Sequence, residues 1–216
     1  MAQVFQRYTN TLSRATAVAT ALLVASGLWL WSRIQASPYT SDVRIAKTQP
    51  VPFSHAHHVG DLGIDCRYCH TSVENSAFAG IPPTQTCMNC HSQIWANAPM
   101  LEPVRDSFKT DKSLEWVRVH DLPDFAYFNH QIHVARGVGC KSCHGAVDKM
   151  PLMWRVEPLT MGWCLDCHRD PAPHLRPKSE VFSMTWTPPP DQAERGAEIM
   201  KQHQILPPQS CSGCHR

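Results

Sequence analysis

All ten cysteines of this chain fall into five Cys-x-x-Cys pairs, at 66/69, 87/90, 140/143, 164/167 and 211/214, and none is left over. A histidine stands directly behind every pair: His70, His91, His144, His168 and His215. No other feature limits the fold so strongly, because each five-residue unit must present two sulfurs and an imidazole to one object. Disulfides would explain an even cysteine count but not the histidines. Structural zinc needs four ligands per metal and gives no reason for a histidine after each pair.

Cys-x-x-Cys-His is the attachment signature of c-type haem. The two thiols form thioethers to the vinyl groups, and the histidine on the same turn reaches the iron from the proximal side. The expected cofactors are five covalently bound haems c. The expected thioether residues are Cys66, Cys69, Cys87, Cys90, Cys140, Cys143, Cys164, Cys167, Cys211 and Cys214, and the proximal ligands are the five histidines that follow them.

Each iron has a second axial position, and a histidine there makes it six-coordinate, suited to electron transfer and closed to substrate. Eight histidines remain for this role: His55, His57, His58, His120, His130, His133, His174 and His203. His55/His58 and His130/His133 occupy the same place in two near-copies, "FSHAHHVGDLGIDCRYCH" from Phe53 and "FNHQIHVARGVGCKSCH" from Phe128. Their i, i+3 spacing puts both rings on one face of a helical turn, so each pair is expected to cap two neighbouring haems. His57 is only an alternative to its neighbour. For the fifth distal position the sequence favours His120, in "WVRVHDLPDF", with His203, His174 and Met161 as alternatives. Met150, Met153 and Met200 are further methionines near haem sites. Methionine ligation would raise that haem's potential, but a methionine in such surroundings ordinarily packs against a porphyrin face.

The near-copies mark an internal duplication with one appended site. Phe53 matches Phe128, Gly63 matches Gly137 and Ile64 matches Val138. The phenylalanines are expected to pack on haem and the glycines to supply turns. Residues 53–94 form the first two-haem module, 95–127 a cysteine-free segment with a short strand or helix, and 128–170 the second module. Residues 171–216 hold a linker marked by "TPPPD", a helix over "QAERGAEIMKQHQI" and the fifth site. About 180 residues around five haems leave roughly 36 each, too few for an ordinary core. The expected fold is mainly α and irregular, with little regular secondary structure and a core made largely of porphyrin. The 18 prolines agree with a loop-rich chain, and the formal charge of +2 gives no reason to expect nucleic acid.

"ATAVATALLVASGLWLW", Ala15 to Trp31, carries no charge between Arg14 and Arg33. At 1.5 Å per residue it spans about 27 Å, close to the hydrocarbon thickness of a bilayer. Trp29 and Trp31 suit the interfacial belt. A cleaved signal peptide is the rival reading, but "SRIQASPYT" offers no clean small-x-small cleavage site and the chain starts at Met1. Residues 1–33 are therefore expected to be a retained single-pass anchor, with about 15–32 in the bilayer. Residues 34–52 are an extended connector, and 53–216 the haem domain. Haem attachment to this motif takes place on the outer face of the bacterial inner membrane, which puts the haem domain in the periplasm.

The Phe-x-His-x-x-His…Cys-x-x-Cys-His unit resembles the class III multihaem cytochromes c. The stretches "GIDCRYCHTSVENSAFAGIPPTQTCMNCHSQI", "DLPDFAYFNHQIHV" and "LTMGWCLDCHRDP", from about Val51 onward, resemble more narrowly the pentahaem subunit of alternative complex III, a bacterial quinol-oxidising complex. That resemblance implies an electron-transfer subunit of a respiratory or photosynthetic chain that is no enzyme on its own. It implies as partners a membrane-integral quinol-binding subunit, an iron–sulfur subunit, a monohaem cytochrome c and a soluble acceptor. Two other functions compete: a stand-alone quinol dehydrogenase of the small tetrahaem type, and a multihaem reductase with one open haem. The first prediction follows directly: intact-mass spectrometry of the purified chain finds five haems bound covalently, resistant to acidified-solvent extraction. Zinc, or cystine bridges among the ten thiols, would refute it.

Overall fold

The computed structural model describes residues 4–215 and divides into two units, ending and beginning at Asp42 and Val43. Residues 1–3 and 216, at the ends of the expected anchor and haem domain, lie outside the described residues.

The first unit is built on one helix, Tyr8–Gln35, of 28 residues, followed by the short turn Pro38–Ser41. The helix is longer than the expected 15–32, because the polar residues Thr9 to Arg14 continue it outward without a breaker. At 1.5 Å per residue it measures about 42 Å. None of its residues is buried, and Leu22, Leu23, Trp29 and Trp31 are exposed. Among the described residues it is the helix long and apolar enough to cross a membrane by length and composition.

The second unit contains short helices and turns, with no strand among its described residues. Isolated bridges such as Val43 with Arg155 and Ala46 with Trp154 stand in for sheet. The cysteine-free segment contributes the Glu102–Thr110 helix, which begins with Pro103 and stops at Asp111 in a left-handed conformation (φ 54°). The expected C-terminal helix is present at Gln192–Gln202. Apolar packing is sparse. Val51, Leu101 and Val104 form one small cluster, with Cys87, Met88 and Trp116 against it. Val147, Met150 and Met184 form another, touched by both Cys66 and Cys140.

The two copies close the same turn in different ways. In the second, His130–Ala135 is an α-helix, and Val138 N–H donates to His133 O at 3.0 Å. In the first, Ala56–Asp61 is a π-turn, and Ile64 N–H donates to His58 O at the same 3.0 Å. The first copy has one more residue than the second between this histidine and the matched glycine, Gly63 or Gly137. The wider turn absorbs that residue, the usual origin of a π-bulge. Both glycines lie at positive φ, 66° and 86°, where a side chain is costly, so they are turn glycines as expected.

Gly196 sets the closest approach in this unit: it brings the Gln192–Gln202 helix onto the Ala172–His174 turn, and a Cβ there would overlap Ala172 O. Gln192 Nε2 secures the same junction by donating to Leu175 O at 2.5 Å and Ala172 O at 3.2 Å. Gly196→Ala is expected to destabilise the haem-loaded protein by about 1–3 kcal/mol, read as a lower thermal midpoint, whereas Ala197→Gly costs at most about 1 kcal/mol.

Candidate multihaem centre

Each Cys-x-x-Cys-His unit sits on a helical turn. Three form short turns, Cys66–Cys69, Lys141–His144 and Cys211–Cys214; the others end the helices Thr84–His91 and Met161–Arg169. The histidine N–H donates back to the first cysteine carbonyl at 2.8 Å for His70, 2.9 Å for His144 and 2.8 Å for His215. This i→i+4 bond puts both sulfurs and the imidazole on one face. Local caps start the turns: Asp65 accepts from Arg67 N–H, Thr160 from Trp163 N–H, and Asn129 from Ile132 N–H ahead of the second histidine pair. Burial pushes Cys140 up to about 11 and Cys143 up to about 12, which marks both as enclosed thiols. Among the described residues, no three His, Cys, Asp or Glu side chains converge as a metal cage.

The ring nitrogens test whether these residues fit haem. A histidine ligand normally donates one ring N–H to the protein and turns its other nitrogen to the metal. Four proximal histidines have Nδ1 on a backbone carbonyl: His70 on Gly80 (2.7 Å), His91 on Ile94 (3.0 Å), His168 on Pro208 (2.7 Å) and His215 on Phe125 (3.0 Å). Three of the paired histidines do the same: His58 on Ser54 (2.8 Å), His130 on Ala77 (2.8 Å) and His133 on Asn129 (2.7 Å). In all seven this fixes the tautomer and leaves Nε2 as the metal-facing nitrogen. Burial also keeps ring nitrogens unprotonated: His55 falls to about 4, His133 is lowered, and His144 is held well below its ordinary value.

Ring separations add a second test. An imidazole nitrogen binds a first-row metal at about 2 Å, so two rings capping one metal have centroids about 6 Å apart. His58 faces His91 at 6.1 Å, His130 faces His144 at 6.3 Å, and His133 faces His168 at 6.1 Å. Each of these joins a paired histidine to the histidine of a cysteine motif. His55 is lowered mainly by burial, with His70 and then His58 as the histidines that add to the shift. The chain's own residues therefore fit haem with one histidine on either side.

Phenylalanine holds both pairs in the same way. Phe53 lies edge-on to His55 (4.9 Å) and stacks on His58 (4.4 Å). Phe128 repeats this with His130 (4.8 Å) and His133 (4.5 Å). Each phenylalanine thus braces both imidazoles of its pair, whichever face it also turns to a porphyrin.

The remaining candidates are dispersed. His120 packs on His144 at 4.2 Å, too close for an iron between them, with its Nε2 enclosed and without a hydrogen-bond partner. It thus faces the third site's histidine, because the chain at Val119 and Asp121 is drawn to Arg155, whose Nη2 donates to both carbonyls. His57 is turned away onto Trp95 (5.5 Å) and Asp61 (3.4 Å). His174 is exposed on its turn, and the His203 carbonyl accepts from Arg136. Met161 is exposed, one helical turn ahead of Cys164, which itself neighbours Cys214 of the fifth site.

Sequence reasoning missed three contributors. The carbonyl acceptors come from loops with no side-chain signal. Trp95, in a left-handed conformation (φ 54°), stacks on His57 and lies 6.3 Å from His91. Arg176, 4% exposed, lies near Cys140, with its guanidinium over Trp186 at 4.2 Å.

Over 99 residues the chain is 37% identical to the multiheme cytochrome c subunit of menaquinone reductase from Nitratidesulfovibrio vulgaris, a match covering 45% of this chain and 46% of that protein. The chain thus spans about half the length of the curated relative it matches. No protein-family model matches the sequence. The likeness supports a multihaem cytochrome c and does not reach the narrower assignment to alternative complex III. Phe128→Ala is expected to remove about 0.5–1.5 kcal/mol of ring packing and to alter one low-spin haem signal in electron paramagnetic resonance, with haem content unchanged. An unaltered spectrum would show that the stack does not orient His133.

Proposed function

We propose that this chain is a membrane-anchored pentahaem cytochrome c that relays electrons within a quinone-linked complex. The observation that carries the reading is the set of three facing histidine pairs, 6.1–6.3 Å apart, each joining a His-x-x-His histidine to a Cys-x-x-Cys-His histidine. When bound, haem supplies reversible one-electron chemistry at its iron. The cysteine pairs would hold it covalently, the following histidine would be one ligand to its iron, and His55, His58, His130 and His133 would be the second ligand at sites one to four. With both positions filled by protein, substrate has no iron to reach, and the chain's part is conduction.

For the fifth site Met161 is the favoured distal ligand, since its helix carries Cys164 beside Cys214 and the side chain is free to turn. Met161→Leu is then expected to abolish the iron–sulfur charge-transfer absorption and to lower one midpoint potential, with five haems retained. His203→Leu and His174→Leu should leave both unchanged. If His203→Leu or His174→Leu instead opens one haem to carbon monoxide, that histidine is the ligand.

The anchor reading rests on the Tyr8–Gln35 helix, and the periplasmic placement on the chemistry of haem attachment. The relative is named as a subunit of a menaquinone reductase, and the resemblance in the sequence is to a quinol-oxidising complex; both link a multihaem cytochrome to quinone chemistry. The proposed partners are a membrane quinone-binding subunit, an iron–sulfur subunit, a monohaem cytochrome c and a soluble acceptor. The test is to purify the chain from its native membrane under mild detergent. These subunits should copurify, and a quinol analogue should reduce the haems in the complex but not in the isolated chain. Rapid reduction of the isolated chain would favour the stand-alone quinol dehydrogenase.

A further inference from the structure

We infer that the five haem sites lie along one path in the order second, first, third, fourth, fifth, so that the two duplicated modules meet through their first sites and the relay ends at the second and fifth. This rests on the reading above that all five motifs carry capped haem.

The junction between modules is the least expected part, because the sequence would place the second site next to the third. Cys66 and Cys140, the first cysteines of the first and third sites, pack on the same cluster of Val147, Met150 and Met184. The π-turn that carries the first histidine pair is tied to that cluster by Ala56 N–H donating to Met150 O at 3.0 Å. The loop behind the first site also supports the third. His70 Nδ1 donates to Gly80 O, and three residues earlier Ala77 O accepts from Nδ1 of His130, which faces His144.

Within each module the histidine pair sets the order. His55 and His58 share one turn, His58 faces His91 of the second site, and Asn89 Nδ2 donates to Tyr68 Oη at 3.2 Å between the first and second sites. His130 and His133 share one turn and face the third and fourth. The fifth site joins the fourth: His168 Nδ1 donates to Pro208 O, and Gln209 Nε2 donates to His168 O at 3.4 Å, just ahead of Cys211. Among the described residues, the contacts of this kind from the second site run to the first. Trp95 lies against His91 there, and among the described residues Cys87 is the motif cysteine packed on the Leu101 cluster.

An electron entering at the second site crosses the first module against the direction of the chain and the second along it; one entering at the fifth does the reverse. Each transfer oxidises one iron and reduces the next, with no bond made or broken. Partners that give and take electrons therefore meet the second and fifth sites, while the first and third are interior.

The test uses the full haem-loaded chain, in its complex if it copurifies. Electron cryomicroscopy should show the porphyrin on Cys66/Cys69 flanked by those on Cys87/Cys90 and Cys140/Cys143. A porphyrin on Cys87/Cys90 that abuts the one on Cys140/Cys143 overturns the inference. Potentiometry gives an independent count. The double variant Cys87→Ala/Cys90→Ala should shift one remaining midpoint potential, and Cys140→Ala/Cys143→Ala should shift two; two shifts from the first variant overturn the order. Five capped haems in another order sink this inference alone. Loss of covalent haem from the wild-type chain sinks the reading beneath it.

Discussion

An imidazole can hold an iron in a fixed orientation only if its second nitrogen is tied to something that does not move. In this chain the tie is a backbone carbonyl, met at 2.7–3.0 Å by seven histidines. A side-chain acceptor would spend rotamer entropy and, if charged, would alter the iron's charge balance; a main-chain oxygen is already positioned by the fold. The arrangement explains why so little helix is needed. Short turns are enough to carry ligands, provided that distant loops arrive with their carbonyls in place.

The same requirement accounts for the sparse apolar packing. Val104, Leu175 and Val181 are nearly enclosed, but the apolar clusters built on Val104 and on Met150 are small and have the motif cysteines Cys87, Cys66 and Cys140 packed against them. The sulfurs thus belong at once to the packed interior and to the attachment surface. Under the proposed reading, attached haem would supply the apolar volume that side chains supply elsewhere.

What could be read from the sequence was whatever the chain encodes within about a dozen residues. The ten cysteines, the histidines behind them and the two His-x-x-His pairs were legible because covalent attachment and shared-face ligation demand fixed short spacings. The helices at Tyr8–Gln35 and Gln192–Gln202 were legible from their composition. The role of Phe53 and Phe128 was half legible: repetition marked them as important, but only the fold shows that they brace imidazoles. His120 illustrates the limit. Its place ahead of the second copy says nothing about where Arg155 will pull the chain, and the structure sets it against His144. Gly80 and Pro208 contribute main-chain oxygens, which any residue possesses, so no pattern could flag them; Phe125 adds a ring 5.7 Å from that of His215, yet stands ninety residues away in the chain. Arg176 is an ordinary arginine in sequence and becomes unusual only when folding encloses it beside Cys140.

The π-turn of the first copy uncouples the length of the chain from the position of its ligands. A residue gained after the histidine pair is taken up as a local widening, while the hydrogen bond that closes the turn keeps its length. Twin halves descended from one ancestral unit can therefore accumulate insertions independently without losing their common internal geometry. Segments around metal ligands are ordinarily intolerant of length change, and this one device gives such a lineage room to diversify there.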